Sequence, residues 1–271
     1  MNEDKSQGSG VESSSPMSRH DRILVGIPVY NEAEYVSEVL QEVLQYTDEV
    51  LVVDDGSTDD TARLLSEHPV KIIRHDTNRG YGRSSRDMFQ WALKDGFDWL
   101  ITMDCDRQHE PAAIPEFKDR IRAGDIDVIS GSRYMQEWDD ADLPPEDRRQ
   151  INLTMTREIN RRLGLSLTDS FCGFKAYRIK ACADLVMDVD GYDFPMMFWV
   201  QAVAAGLRIE ELPVRLIYND PSRSFGGPLD DHERRLRFYQ STLYEEIIRM
   251  SSRLPKGADD GLIIGESAIH G

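Results

Sequence analysis

The chain has 271 residues, is 40% hydrophobic and carries a formal charge of −17, so it can bury a full core as one large α/β domain or two small ones. The acidic balance argues against nucleic acid as a partner, because phosphate backbones are met by clustered Lys and Arg, and it reads most simply as a solvated surface. The three cysteines, Cys105, Cys172 and Cys182, form no CxxC pair, which speaks against a disulfide framework or a zinc site, and no run approaches the roughly 18 to 20 apolar residues of a membrane span. With no apolar secretory core near the start, the expected location is cytoplasmic, at most peripheral to the cytoplasmic membrane face.

Residues 1–20, rich in Ser, Gly and charge, are expected to be a disordered leader, and residues 255–271 a similar tail in which Leu262, Ile263 and Ile264 could dock. Between them, 21–254 reads as a single domain with a half at 21–130 and a less regular, more aromatic half at 131–254. A strand-like run at 23–29 precedes a helix at 34–45, where Val36, Val39, Leu40, Val43 and Leu44 recur at helical spacing. A strand at 50–53, a helix at 58–67 with an Asp/Thr-rich first turn and a strand at 70–74 follow. A helix at 84–94 leads to a strand at 99–103. The last helix, 231–250, carries Leu236, Tyr239, Leu243 and Ile247 on one stripe and is expected to dock on the body. Such strand–helix alternation predicts an α/β fold, with a parallel sheet covered by helices on both faces. Ligands then bind outside the carboxyl ends of the strands, where the chain places PVYNE (28–32), DDGS (54–57) and DCDRQH (104–109).

Along extended backbone Asp104, Asp106 and Gln108 share one parity, so their oxygens can face one side of a strand end, while His109 points elsewhere. Hard oxygen ligands without a suitably spaced His or Cys suit Mg²⁺ or Mn²⁺, which commonly keep positions open for substrate phosphates. The same acids could instead cap the helix that starts near Pro111. DDGST is likewise a good helix N-terminus in its own right, and Tyr30 could be a packing residue at a strand exit.

Six segments, IPVYNEAEYV (27–36), VVDDGSTDDT (52–61), NRGYG (78–82), MDCDRQHEP (103–111), GSRY (131–134) and DSFCGFKAY (169–177), come in an order that resembles the family-2 inverting glycosyltransferases of the GT-A fold. Within them the chain is most similar to the dolichyl-phosphate mannose synthase group. The resemblance implies a mixed, mostly parallel sheet, a nucleotide-sugar donor such as GDP-mannose or UDP-glucose, and a polyprenyl phosphate acceptor. It places Pro28, Tyr30, Glu32, Asp55 and Asp104 around the nucleotide, with the Asp55 carboxylate reaching the base, and makes Asp104, Asp106 and Gln108 the ligands of Mg²⁺ or Mn²⁺.

On the acceptor side, Arg133 matches a family arginine that contacts phosphate, and Arg148 and Arg149 are suited to a second contact. Residues 134–150 are too polar and proline-broken for a core element and read as a flap. Asp169 matches an acid near the acceptor, and Asp193 is a second candidate for catalysis; both could be helix caps. Cys172 reads as buried packing. Departures stand beside these matches: Asn152 occupies a position where lipid-phosphate-using relatives place a serine, and Ser84, Ser85 and Asp87 stand where small Ala or Gly is usual. Arg223 and Ser224, near Gly226 and Gly227, could approach a phosphate or belong to a plain loop. A glycan or small hydroxyl compound as acceptor, or noncatalytic nucleotide-sugar binding, remain alternatives at this level, and nothing in the sequence speaks to oligomeric state.

Overall fold

Among the residues described by the computed structural model, 21–107, 109–136, 146–215, 217 and 227–262, seven strands form one sheet. The expected leader at 1–20, Gln108, residues 137–145 of the flap expected at 134–150, Arg223, Ser224, Gly226, Ile263 and Ile264 lie outside the described residues, and 146–150 open a helix rather than belonging to a flap. The strands are β1 (Ile23–Val29), β2 (Val50–Asp54), β3 (Lys71–Arg74), β4 (Trp99–Thr102), β5 (Val128–Ser132), β6 (Lys175–Arg178) and β7 (Ile209–Pro213). Their spatial order is β3-β2-β1-β4-β6-β5-β7. All pairings are parallel except those of β6, which runs antiparallel to β4 and β5. In β1, Val25 lies opposite Val50 of β2 and Ile101 of β4.

Both sheet faces are covered, and the period-2 alternation of strand side chains sorts the core into two layers. Leu24, Leu51, Val53, Leu100 and Val128 point to one side, where they belong to a cluster with residues of α3 (Tyr81–Lys94), α5 (Glu146–Leu163), α6 (Ile179–Cys182), α7 (Phe194–Ala204) and α8 (His232–Met250). Their neighbours Val25, Ile27, Val50, Val52, Trp99, Ile101 and Ile129 point to the other, where α1 (Val36–Val43) and α4 (Ile114–Arg122) supply Leu40, Val43, Phe117 and Ile121. The helix α7 is apolar nearly all round, and Phe194 and the run Met196–Ala202 are buried, as expected of a helix enclosed by other elements. On α8 the stripe forms as the spacing predicts: Tyr239, Leu243 and Ile247 are buried and Leu236 partly so.

Where boundaries differ from the sequence reading, loop hydrogen bonds are the cause. The first helix starts at Val36 rather than 34, because Asn31 takes a left-handed φ of 55° and the N–H groups of Asn31, Glu32 and Ala33 bond to the side chains of Ser57, Thr61 and Asp59. The helix α2 (Thr61–Leu65) is shorter than 58–67, since the Ser57 and Thr58 N–H groups donate to the side chains of Asp54 and Asn31. Gly80, at φ 100°, lets α3 begin at Tyr81, earlier than 84. The tail is seated through Leu262: Ala258 is buried, and Arg162 of α5 donates to its carbonyl at 2.7 Å.

Candidate active site

β1 and β2 end side by side, with Val29 opposite Asp54, so the loops that follow them start from neighbouring points of one rim. Short polar side chains brace the two loops: Asn31 N donates to Ser57 Oγ at 2.9 Å, Glu32 N to Thr61 Oγ1 at 2.8 Å and Thr58 N to Asn31 Oδ1 at 2.8 Å. Tyr30 is 43% exposed beside this brace, Pro28 is half-buried, and Glu32 is buried. Asp55 is buried too, and its carboxylate accepts from the backbone N–H groups of Arg79 and Gly80, each at 2.8 Å, and meets His75 Nδ1 at 2.6 Å. Gly56 is required here: at φ 76°, a Cβ would lie 2.4 Å from the Thr77 carbonyl carbon. PVYNE, DDGS and NRGYG are thus one hydrogen-bonded assembly.

β4 lies parallel to β1, which brings Asp104 to the same rim. The chain does not stay extended there. It bends over residues 105–107, and Arg107 is left-handed at φ 59°, so the alternation invoked for Asp104, Asp106 and Gln108 does not describe this backbone. The segment is held by His109 instead, whose Nδ1 accepts from Asp104 N at 3.1 Å while Nε2 faces Cys172 Sγ at 3.7 Å. Burial pushes the His109 pKa down to about 4, which keeps the imidazole neutral in that role at neutral pH. Burial also pushes the Cys172 thiol up to about 11, in keeping with packing rather than nucleophilic chemistry. The Asp104 side chain is 33% exposed and Asp106 is half-buried. Their carboxylate oxygens are hard donors, and the nearest thiol and imidazole are turned inward, a donor set that fits Mg²⁺ or Mn²⁺ rather than zinc. Among the described residues no group of three or more His, Cys, Asp and Glu is gathered around a cation site.

The antiparallel course of β6 completes the rim, because a strand that runs against its neighbours begins where they end. Asp169–Phe174, which lead into β6, therefore lie beside the exits of β4 and β5. Thr102 Oγ1 donates to Gly173 O at 2.8 Å, and Gly173 packs so closely on Asp104 that a Cβ would lie 2.4 Å from Oδ2. Arg133, just past β5, donates to Asp169 through Nε at 2.6 Å and Nη2 at 3.0 Å. The same carboxylate accepts from Asn152 Nδ2 at 2.8 Å and from the N–H groups of Phe171 and Cys172. Asp169 is fully buried. Burial alone would raise its pKa, but the Arg133 guanidinium and the Asn152 amide hold it well below the usual carboxylate range.

Several residues with parts in this arrangement went unassigned in the sequence. Glu211 of β7 accepts from the N–H groups of Thr168 and Asp169. Lys175 is buried on β6, with Nζ donating to the Cys172 carbonyl; its place inside DSFCGFKAY was the available signal. Asn152 is used inward, and Thr156 Oγ1 donates to its Oδ1 at 2.9 Å. Arg148 and Arg149 stand in the first turn of α5, half-buried and exposed respectively. Asp193 occupies the cap position of α7 without a capping bond. Its carboxylate accepts instead from the Thr242 hydroxyl of α8, and burial raises its pKa.

A model of the family described as glycosyl transferase family 2 matches residues 24–186. An undecaprenyl-phosphate mannosyltransferase from Micrococcus luteus is 31% identical over 222 residues, covering 76% of this chain and 88% of that protein. A polyprenol monophosphomannose synthase from Mycolicibacterium smegmatis is 30% identical over 224 residues, covering 78% and 83%. In fold the chain is similar to glucosyl-3-phosphoglycerate synthase from Mycobacterium tuberculosis, solved with Mn²⁺, uridine diphosphate and phosphoglyceric acid. The TM-score is 0.64 at 17% identity, over 87% of this chain and 80% of that one. The same enzyme solved with Mg²⁺ and uridine diphosphate gives 0.63 at 18%, over 87% and 81%. The sheet is the GT-A sheet, and the matched stretch holds the strand mouths, the D-x-D motif and the Arg133–Asp169 pair: the chain belongs to glycosyl transferase family 2.

Proposed function

We propose that this chain moves a hexose from a nucleotide sugar, GDP-mannose or UDP-glucose, to polyprenyl phosphate in one displacement with inversion. Asp169 is the observation that carries the choice of acceptor. A hydroxyl acceptor must give up a proton and needs a base within reach, whereas a phosphate oxygen is already anionic. The Asp169 carboxylate is buried and loaded with donors, so it is neither basic nor accessible. Its part is to hold Arg133, whose guanidinium is positioned for a phosphate. The names of the two relatives, an undecaprenyl-phosphate mannosyltransferase and a polyprenol monophosphomannose synthase, support the same acceptor.

In the displacement, a lone pair on the acceptor phosphate forms the new bond to C1 of the sugar. The bond from C1 to the diphosphate oxygen breaks, and its electrons stay with the nucleoside diphosphate. No proton has to move. Asp104, Asp106 and Gln108 would hold Mg²⁺ or Mn²⁺, which when bound supplies positive charge against the departing diphosphate. Tyr30 offers an exposed ring to the base, Pro28 and Glu32 shape the pocket wall, and Asp55 accepts a base N–H. Asn152, spent on Asp169, leaves the acceptor phosphate to Arg133 and to Arg148 and Arg149. On this reading residues 21–130 serve the donor and 131–254 the acceptor within one domain. Contact with the cytoplasmic membrane face is peripheral; among the described residues no helix is long and apolar enough to cross a membrane.

A saccharide or small hydroxyl acceptor is favoured by one observation: burial raises the Asp193 carboxyl, a property of general bases. The test is to incubate the chain with Mn²⁺ and labelled GDP-mannose or UDP-glucose, adding undecaprenyl phosphate or a panel of sugars. Label is expected to pass into organic solvent only with the lipid phosphate. Label confined to an aqueous glycoside would reject the lipid acceptor, and binding without any turnover would make the chain a nucleotide-sugar binder.

A further inference from the structure

The two oxygens of the Asp55 carboxylate are unequally loaded. Oδ1 meets His75 Nδ1 at 2.6 Å and accepts from Arg79 N at 2.8 Å, which occupies both of its lone-pair positions. Among the described residues Oδ2 accepts only from Gly80 N, at 2.8 Å, which leaves one lone pair for a ligand. His75 itself is fixed from two sides. Its backbone N–H donates to Asp54 O at 2.9 Å, past the end of β3, and its ring Nε2 lies 2.8 Å from Asp87 Oδ2 on α3. Asp87 in turn takes Arg83 Nε on both oxygens, at 3.1 and 3.0 Å, one helical turn away. The ring is clamped between two carboxylates, one at each nitrogen, and cannot swivel.

We infer that His75, Asp87 and Arg83 are positioning residues for the nucleobase contact: they occupy Oδ1 of Asp55 and leave Oδ2 as its single acceptor for a ring N–H of the donor's base. This rests on the nucleotide-sugar reading of the site. Uracil and guanine carry such a ring N–H, whereas the corresponding ring nitrogen of cytosine has no hydrogen and meets the carboxylate lone pair to lone pair. Selection against cytosine therefore depends on a carboxylate that cannot rotate or be re-paired. None of the three positioning residues needs to touch the ligand.

Dissociation constants for UDP, GDP, CDP and inorganic pyrophosphate, each with Mn²⁺, measured by calorimetry on the full chain test this. The wild type should bind UDP or GDP at least about tenfold more tightly than CDP, the worth of one charge-assisted hydrogen bond. His75→Gln and Asp87→Asn should each narrow that preference to about threefold or less while leaving pyrophosphate affinity within about twofold, a split that a general folding defect does not produce. Arg83→Gln, at a residue one-third exposed, should move the preference in the same direction by a smaller factor, and it decides the matter if the other two substitutions unfold the chain. A preference abolished by Asp55→Asn but kept in every positioning variant that folds overturns the inference and leaves the nucleotide site standing. A wild-type chain that binds no nucleoside diphosphate overturns the site itself.

Discussion

The donor and acceptor halves share one rim but are held there differently. In the donor half the brace between the loops after β1 and β2 includes neutral bonds between short side chains and backbone, such as Asn31 N to Ser57 Oγ and Glu32 N to Thr61 Oγ1, beside the separate carboxylate cluster of Asp55, His75 and Asp87. Each neutral bond contributes on the order of 0.5–1.5 kcal/mol. In the acceptor half a buried ion pair, Arg133–Asp169, is surrounded by Asn152, Phe171 N and Cys172 N, with Lys175 buried behind it. Desolvating such charges costs several kcal/mol per ion, by rough estimate, and is offset only when every polar atom finds a partner. The lesson is one of tolerance: the neutral brace between the β1 and β2 loops can lose a bond and keep its course, while the Arg133–Asp169 cluster fails as a unit.

That contrast can be broken outright. Asp169→Asn leaves the largely enclosed Arg133 guanidinium, 16% exposed, without its counter-charge and should cost about 3 kcal/mol in chemical denaturation. Ser57→Ala, which removes one neutral acceptor, should cost about 1 kcal/mol. Equal losses would mean that the two halves are held alike. Asp104→Asn sharpens the contrast from the point where the halves meet, since its carboxylate is partly exposed and touches Gly173. It should change stability by no more than about 0.5 kcal/mol yet slow hexose transfer by about 10²–10³-fold, read from initial rates with saturating Mn²⁺. Undiminished turnover would remove Asp104 from the reaction.

The smallest effect is one of pH. Hydrogen bonds from Arg161 and Arg162 hold the Glu158 carboxyl of α5 at about 2, against the partial burial that would raise it. A folded-state pKa below the ordinary 4.5 means that the stabilisation is present above about 4.5 and is lost as pH falls towards 2. The melting-temperature difference between wild type and Glu158→Gln should therefore shrink across that window. A difference that stays constant would detach Glu158 from the acid sensitivity of the acceptor half.

Much of this architecture is legible residue by residue. The unbroken apolar run of β2 announces a strand covered on both faces, and Val36, Val39, Leu40 and Val43 mark the buried stripe of α1. The polar mouths of β1, β2 and β4 follow from strand exits alone. The reading falls short where the backbone departs from a regular period. Alternation beyond Thr102 assumes an extended chain, whereas the left-handed Arg107 and the His109 bond to Asp104 N turn it. Asn152 looks like a departure at an acceptor contact, but its amide faces inward to Asp169, a partner that spacing along one helix cannot reveal.

By itself the sequence determined the alternating strands and helices of residues 23–103, the last helix, the helix cover on both sheet faces and the clustering of Tyr30, Asp55 and Asp104 at strand exits, because these depend on local periodicity and on groups a few residues apart. Only the tertiary structure decided that β6 enters between β4 and β5 against their direction, bringing Gly173 onto Asp104 and Asp169 onto Arg133. Those contacts join residues some tens of positions apart. They are selected by strand pairing and by the need to compensate buried charge, terms that exist only once the whole sheet has formed.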